Sequence, residues 1–238
     1  EILAQLHLNI AELYEDKLEN PNQAIQSYTA ALVADEANME ALSSLERLYK
    51  MYQQWEPLIE ILKQRAMHID DIDEVIGLKM QVGELYEDRV DDAYKSIEAY
   101  KEIVEVEPQH LEALKALEKL YEKTGQMEEY LDVLEQQLDI LGNDDERIAK
   151  YQQMAATWEE YFDKVERACE CYEKILLIDE RSVSGYRNLA RLYRQERKWE
   201  ELVDTYGRHI NAVYDDADRV ELYQSMGEIY ERELQDPD

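Results

Sequence analysis

The chain has 238 residues, 34% charged and 45% hydrophobic, with only 7 Gly and 4 Pro. Breakers are too sparse for a turn-rich β fold, and the apolar content is too high for disorder. Its 56 Asp and Glu against 26 Lys and Arg leave a formal charge of −30, which repels polyanions and anionic lipid and excludes nucleic acid as a partner class. No stretch reaches the roughly 18 apolar residues of a membrane span, so direct membrane insertion is excluded as well.

In chain order, the first helical segment carries "ELYED" at Glu12 to Asp16, and the same five residues return at Glu84 to Asp88, 72 residues on. The register then holds without a gap. Tyr14, Tyr86, Trp158 and Tyr230 share one position, and Tyr28, Tyr100 and Tyr172 a second, on the next helix. A third helix repeats Leu45, Leu117 and Leu189 together with Tyr49, Tyr121 and Tyr193. The fourth opens at Trp55, Met127 and Trp199, each followed by a Glu. The periods are 1–72, 73–144, 145–216 and a partial fourth, 217–238, in which Pro237 takes the place of Pro21.

Each period splits into two similar halves of about 35 and 37 residues, as repeat units built from a helix pair do. Leu42, Leu45, Leu48 and Tyr49 recur at helical spacing; a turn at Gln53 and Gln54 follows; Trp55, Leu58, Ile59 and Leu62 restart the pattern. Pro21 and Gly125 fall in predicted turns, Pro108 precedes a helix, and Pro57 sits in a first helical turn, where a missing N–H costs little. The expectation is an all-α solenoid of antiparallel helix pairs, about 13 helices in one continuous array, since each unit needs its neighbours to bury its apolar face. The start at Glu1 and the broken fourth period predict a piece of a longer array. The segment carries no targeting pattern, and its compartment is left open.

Half of the 18 tyrosines occupy repeated positions, so they and Trp55 and Trp199 are expected to pack between helices rather than to stack on a ligand. Acidic clusters at Asp70 to Glu74, Asn143 to Glu146 and Asp215 to Asp218 recur where each next period begins. They lack the Gly-containing twelve-residue loop of an EF-hand, and capping of helix N-termini is the favoured reading over a weak divalent site. Cys169 and Cys171 lie two residues apart on a helix, so they face different ways and are expected to stay reduced. His7, His68, His110 and His209 share no repeat position and no ligand spacing. No phosphate loop, nucleophile elbow or HExxH run is present. The expectation is a protein without cofactor, metal or catalytic residues.

"MEALSSLERLYKMYQQWEPLIEILKQ" and "LEALKALEKLYEKTGQMEEYLDVLEQ" resemble tetratricopeptide repeats, as do the first halves through Tyr14, Ala24, Tyr28 and Ala31, with Pro108 at a repeat end. The resemblance covers essentially the whole chain and implies a right-handed superhelix. The turn inside the first halves is one residue longer than usual. Glu46 or Glu118 stands where the first helix of the pair usually has a small residue, and Leu58, Tyr130 or Leu202 where the second does, which predicts wider packing of those pairs.

In such arrays the first helix of each pair lines the groove, and here acidic and basic first helices alternate. First halves present Glu12, Glu15 and Asp16, then Glu84, Glu87 and Asp88, then Glu159 and Glu160; second halves present Arg47 and Lys50, then Lys115, Lys119 and Lys123, then Arg187, Arg191 and Arg194. One position reads Glu12, Arg47, Glu84, Lys119, Ala156, Arg191, Glu228. This predicts a ladder of ion pairs that fixes register, each worth about 0–1 kcal/mol. A second use is the capture of an acidic peptide or a partner bearing carboxylates. The expected function is a non-enzymatic protein-interaction scaffold; the alternative is a self-associating structural array, a filament or cell-envelope layer.

Overall fold

A computed structural model describes residues 2–234; Pro237 lies outside them. Thirteen α-helices and no strand occur among the described residues: α1 (Ile2–Asp16), α2 (Pro21–Ala34), α3 (Met39–Met51), α4 (Trp55–Ala66), α5 (Ile72–Leu85), α6 (Ala93–Val106), α7 (Leu111–Thr124), α8 (Met127–Ile140), α9 (Asp144–Glu160), α10 (Val165–Ile178), α11 (Val183–Gln195), α12 (Trp199–Ala212) and α13 (Asp216–Ile229). They form two compact units, 1–126 with α1 to α7 and 127–238 with α8 to α13. Among the described residues, no helix is long and apolar enough to cross a membrane.

Two kinds of turn alternate, and each has a cause in the backbone. In the second halves Gln53, Gly125 and Arg197 take left-handed φ of 55°, 74° and 56°. The next N–H, of Gln54, Gln126 or Lys198, then returns to the carbonyl of Tyr49, Tyr121 or Tyr193 at 2.8–3.0 Å. This is the six-residue closure of a Schellman cap. In the first halves the left-handed residues are Glu19, Asp91 and Asp163, and the N–H of Asn20, Asp92 and Lys164 reaches back one residue further, to Tyr14, Tyr86 and Trp158, at 2.9 Å in all three. α5 accordingly runs into a π-helical turn, Tyr86–Val90. The extra residue in the first-half turn is this widened closure.

N-caps follow the same period. Asn38, His110 and Ser182 accept from the N–H three residues on, at 3.0, 3.1 and 3.3 Å. The acidic clusters do likewise: Asp71 accepts from Glu74 N–H at 3.1 Å, Asn143 from Asp145 N–H at 2.8 Å, and Asp215 from Ala217 N–H at 2.7 Å. Each satisfies donors that a helix start leaves orphaned.

The core of the first unit joins Leu8 and Ala11 on α1, Ala24, Tyr28 and Ala31 on α2, and Leu42, Leu45 and Leu48 on α3. Small, fully buried alanines on both members of the first pair let those backbones approach. In the second pair larger side chains, Leu58, Ile59 and Leu62, fill the space and continue into Leu78, Val82 and Tyr86. Full burial of each such Leu stabilises the fold by about 1.5–3 kcal/mol. In the second unit Leu189, Leu202 and Ile175 are completely buried, and Tyr193 and Trp199 pack at the edge of the cluster around Leu202. Tyr28, Tyr100, Tyr172 and Tyr121 are buried, Tyr14, Tyr49, Trp55 and Trp158 half-buried, and Tyr230 is exposed. Leu117 is buried as well.

Cys169 and Cys171 are free and both buried on α10, which packs against α9 and α11. Burial pushes their thiols up to about 11 and about 12, so neither is a nucleophilic thiolate at neutral pH.

Candidate functional site

The charged faces of the first helices resolve into a repeated three-residue arrangement. Arg47 meets Glu15 at 2.5 Å, Lys119 meets Glu87 at 2.5 Å, and Arg191 meets Glu159 at 2.8 Å. A buried tyrosine of the intervening helix completes each: Tyr28 O–H donates to Glu15 at 3.3 Å, Tyr172 O–H donates to Glu159 at 3.4 Å, and the Glu87 charge bears on Tyr100. Burial first, and the adjacent carboxylate second, push the Tyr172 hydroxyl up to about 12 and raise Tyr100 further. Tyr28 is raised by burial, with Glu15 adding to it.

The glutamates are only 20%, 14% and 19% exposed, whereas their basic partners are 50%, 71% and 49% exposed. The shielded carboxylate is therefore the structural member, and the cation is its solvent-side lid. The ladder is offset from the one-position pattern in the sequence. Glu12 and Glu84 are exposed and form no ion pair among the described residues, because each base reaches one helical turn on, to the carboxylate that a tyrosine borders.

The other basic residues divide further. Lys123 lies 3.5 Å from Asp91, and Arg194 donates to the hydroxyl of Tyr206 at 2.8 Å, a neutral group that leaves its charge uncompensated. Lys50, Lys115 and Arg187 are exposed and form no ion pair among the described residues. Of the eight candidate cations, three are committed to the ladder and four carry no carboxylate partner among the described residues.

A second polar layer, absent from the expectations, lies where the second helix of a pair meets the first helix of the next period. In period one Arg65 bridges Glu46 at 2.7 Å and Glu74 at 2.6 Å, linking α3, α4 and α5. Two periods on, the same positions hold Ala190, His209 and Asp218. His209 is 7% exposed, stacks on Tyr186 with ring centroids 4.8 Å apart, and leaves Nε2 buried without a hydrogen-bond partner. Burial, reinforced by Arg187 and opposed by Asp218, lowers its pKa. Beside it opens a cavity of about 460 Å³ bounded by α11, α12 and α13. Reading Arg65, Gln137 and His209 as one column is the sequence signal that locates this layer.

Residues 113–149 and 186–220 match the model of the tetratricopeptide repeat family. Both spans are built on second halves, whose turns close in the shorter way. No curated protein matches the chain. Among solved structures, a chain of the Naa15/Naa10 assembly bound to HypK-THB aligns with 98% of this chain and 35% of its own length, at 13% identity and a TM-score of 0.56. MamA aligns with 98% of this chain and 94% of its own, at 14% identity and a TM-score of 0.37. A tetratricopeptide repeat protein from Parabacteroides merdae ATCC 43184 aligns with 94% of this chain and 84% of its own, at 17% identity and a TM-score of 0.36. The first of these supports a common helical-repeat fold.

Proposed function

We propose that this chain, a divergent tetratricopeptide repeat protein, is a non-enzymatic scaffold that holds a protein or peptide partner against its first-helix faces, with acidic side chains of the partner meeting Lys50 and Lys115 in the first unit or Arg187 and Arg194 in the second. The observation that carries the reading is the division of the cations. In a chain of charge −30, carboxylates to neutralise every base are abundant, yet these four stand on first helices with none among the described residues. Charge-assisted pairs to a partner carboxylate supply both attraction and register. The solved assembly with HypK-THB illustrates the same fold in a protein complex.

Selection of peptides from a random display library on the immobilised chain tests this. Enrichment of Asp- and Glu-bearing peptides, weakened by salt and by Lys115→Glu with Arg187→Glu, is expected. Enrichment indifferent to both overturns the reading.

Self-association is the second reading, supported by Leu3, Leu6 and Leu13 exposed along α1. High negative charge opposes it at low ionic strength. Sedimentation at low and high salt separates the two: a salt-induced growth in mass favours the array.

A further inference from the structure

Lys63, Lys79 and Lys95 are bases that the first-helix ladder does not use, and all three border one cavity of about 660 Å³ between α4, α5 and α6. α5 packs against both of its neighbours, and the buried side chains of Leu62, Leu78, Val82 and Ala99 make the floor. The cavity follows α5 from Val75 to Tyr86, about 16 Å of helix at 1.5 Å per residue. Room comes from Ala66, where periods two and three carry Leu138 and Ile210. The lining along α5 is apolar because Val75 and Leu78 stand where period two has Arg147 and Lys150. Size and lining are those of sites that enclose small molecules.

The two ends of this cavity differ in chemistry. Towards the start of α5, Lys79 is spent on Glu102 of α6 at 2.6 Å, a neutral bridge. At the Tyr86 end the ammonium groups of Lys63 and Lys95 lie 5.1 and 5.6 Å from the centre of the ring, and Lys63 donates to the Tyr86 hydroxyl at 3.0 Å. Lys95 is also held by Asp92 at 3.1 Å, whereas the carboxylate beside Lys63, the exposed Glu60, stands off at 3.9 Å. Burial works against the Lys63 charge, but the contact with Tyr86 outweighs it and holds the ammonium above its ordinary range. The Tyr86 hydroxyl accepts from Lys63 and has no acceptor for its own proton among the described residues. One end therefore presents N–H and O–H donors, and the remainder presents aliphatic surface.

We propose that this cavity binds a medium-chain aliphatic carboxylate, its head group on Lys63 and Tyr86 and its tail along α5 towards Ala66 and Val75. Charge-assisted hydrogen bonds fix the head, and burial of the chain supplies most of the affinity. A single negative charge matches the site, because Glu60, Glu98 and Glu102 share its rim and repel a dianion. None of these residues belongs to the ion-pair ladder or to the four partner-facing cations, so the site stands or falls independently of the scaffold reading.

Calorimetric titration of the chain with octanoate tests this. Saturable one-to-one binding is expected, about tenfold weaker for hexanoate, which buries two methylenes fewer, and about tenfold weaker for 1-octanol, which lacks the charge. Ala66→Leu, the residue native one period later, should abolish binding by filling the cavity. Lys63→Gln, at an exposed position that leaves the core intact, should weaken it about tenfold, with the helical content of both variants checked by circular dichroism. Absence of saturable octanoate binding overturns the assignment. So do equal affinities for octanoate and either hexanoate or 1-octanol, full affinity in folded Lys63→Gln, and tighter binding of octyl phosphate than of octanoate.

Discussion

The layers around Arg65 and His209 occupy equivalent positions two periods apart, yet one is bridged by ion pairs and the other borders a cavity. The difference teaches that the 72-residue period specifies helices, caps and turns, while the polar contents of each layer are set locally by whether a neighbour supplies a countercharge. Residues native at one position of the repeat are therefore not interchangeable between periods, and exchanging them should change stability by amounts that depend on the period.

The largest effect is expected for Arg65→His, the period-three residue placed in period one. Glu46 and Glu74 lose their shared partner, and unfolding in urea should show a loss of about 2 kcal/mol, the scale for stranding part-buried charges. Next is Gly83→Ala. Alanine is native one period earlier and later, at Ala11 and Ala155, but at Gly83 a Cβ would meet the Tyr100 ring at 2.6 Å. A loss of about 1–2 kcal/mol by the same measurement is expected, since the ring has to move in a packed core. A smaller effect of opposite sign belongs to Gln53→Gly and Arg197→Gly, which copy Gly125 into the two equivalent left-handed positions. Each should gain about 0.5 kcal/mol, the strain relieved less the entropy glycine adds to the unfolded chain.

The smallest is a pH effect. The folded-state pKa of His209 lies below its unfolded value, so its contribution to stability is present above the unfolded pKa and is lost as pH falls through the folded one. His209→Gln, the period-two residue, should flatten the melting temperature between pH 7 and pH 5 relative to the parent chain. An unchanged acid slope would show that His209 does not contribute to it.

The period, the helix pairs and the longer first-half turn were legible in the sequence because each repeats a residue type with a backbone cause. Asp71, Asn143 and Asp215 advertise caps, and "ELYED" marks the end of a helix. Two things were not legible. Which carboxylate a base selects depends on a tyrosine from another helix: Tyr28 O–H donates to Glu15, so the ladder runs through Glu15 rather than Glu12. The His209 layer escaped because its column reads Arg65, Gln137, His209, three residue types with no shared chemistry, and its meaning lies in the loss of Glu46 at Ala190. The matches to the tetratricopeptide model at 113–149 and 186–220 likewise report helix packing and carry nothing about that loss.

In the proposed scaffold the first-helix cations divide into structural and partner-facing sets. Titrating one selected acidic peptide into two variants, and recording their melting temperatures, separates the two. Lys115→Gln with Arg187→Gln should weaken binding about tenfold or more, the cost of losing a charge-assisted contact, with the melting temperature unchanged. Lys119→Gln with Arg191→Gln should lower the melting temperature by about 1–3 °C, as expected for surface pairs in a chain of this size, and alter affinity by less than about threefold. The reverse pattern, with affinity lost in the ladder variant and stability lost in the other, would contradict this division of the cations.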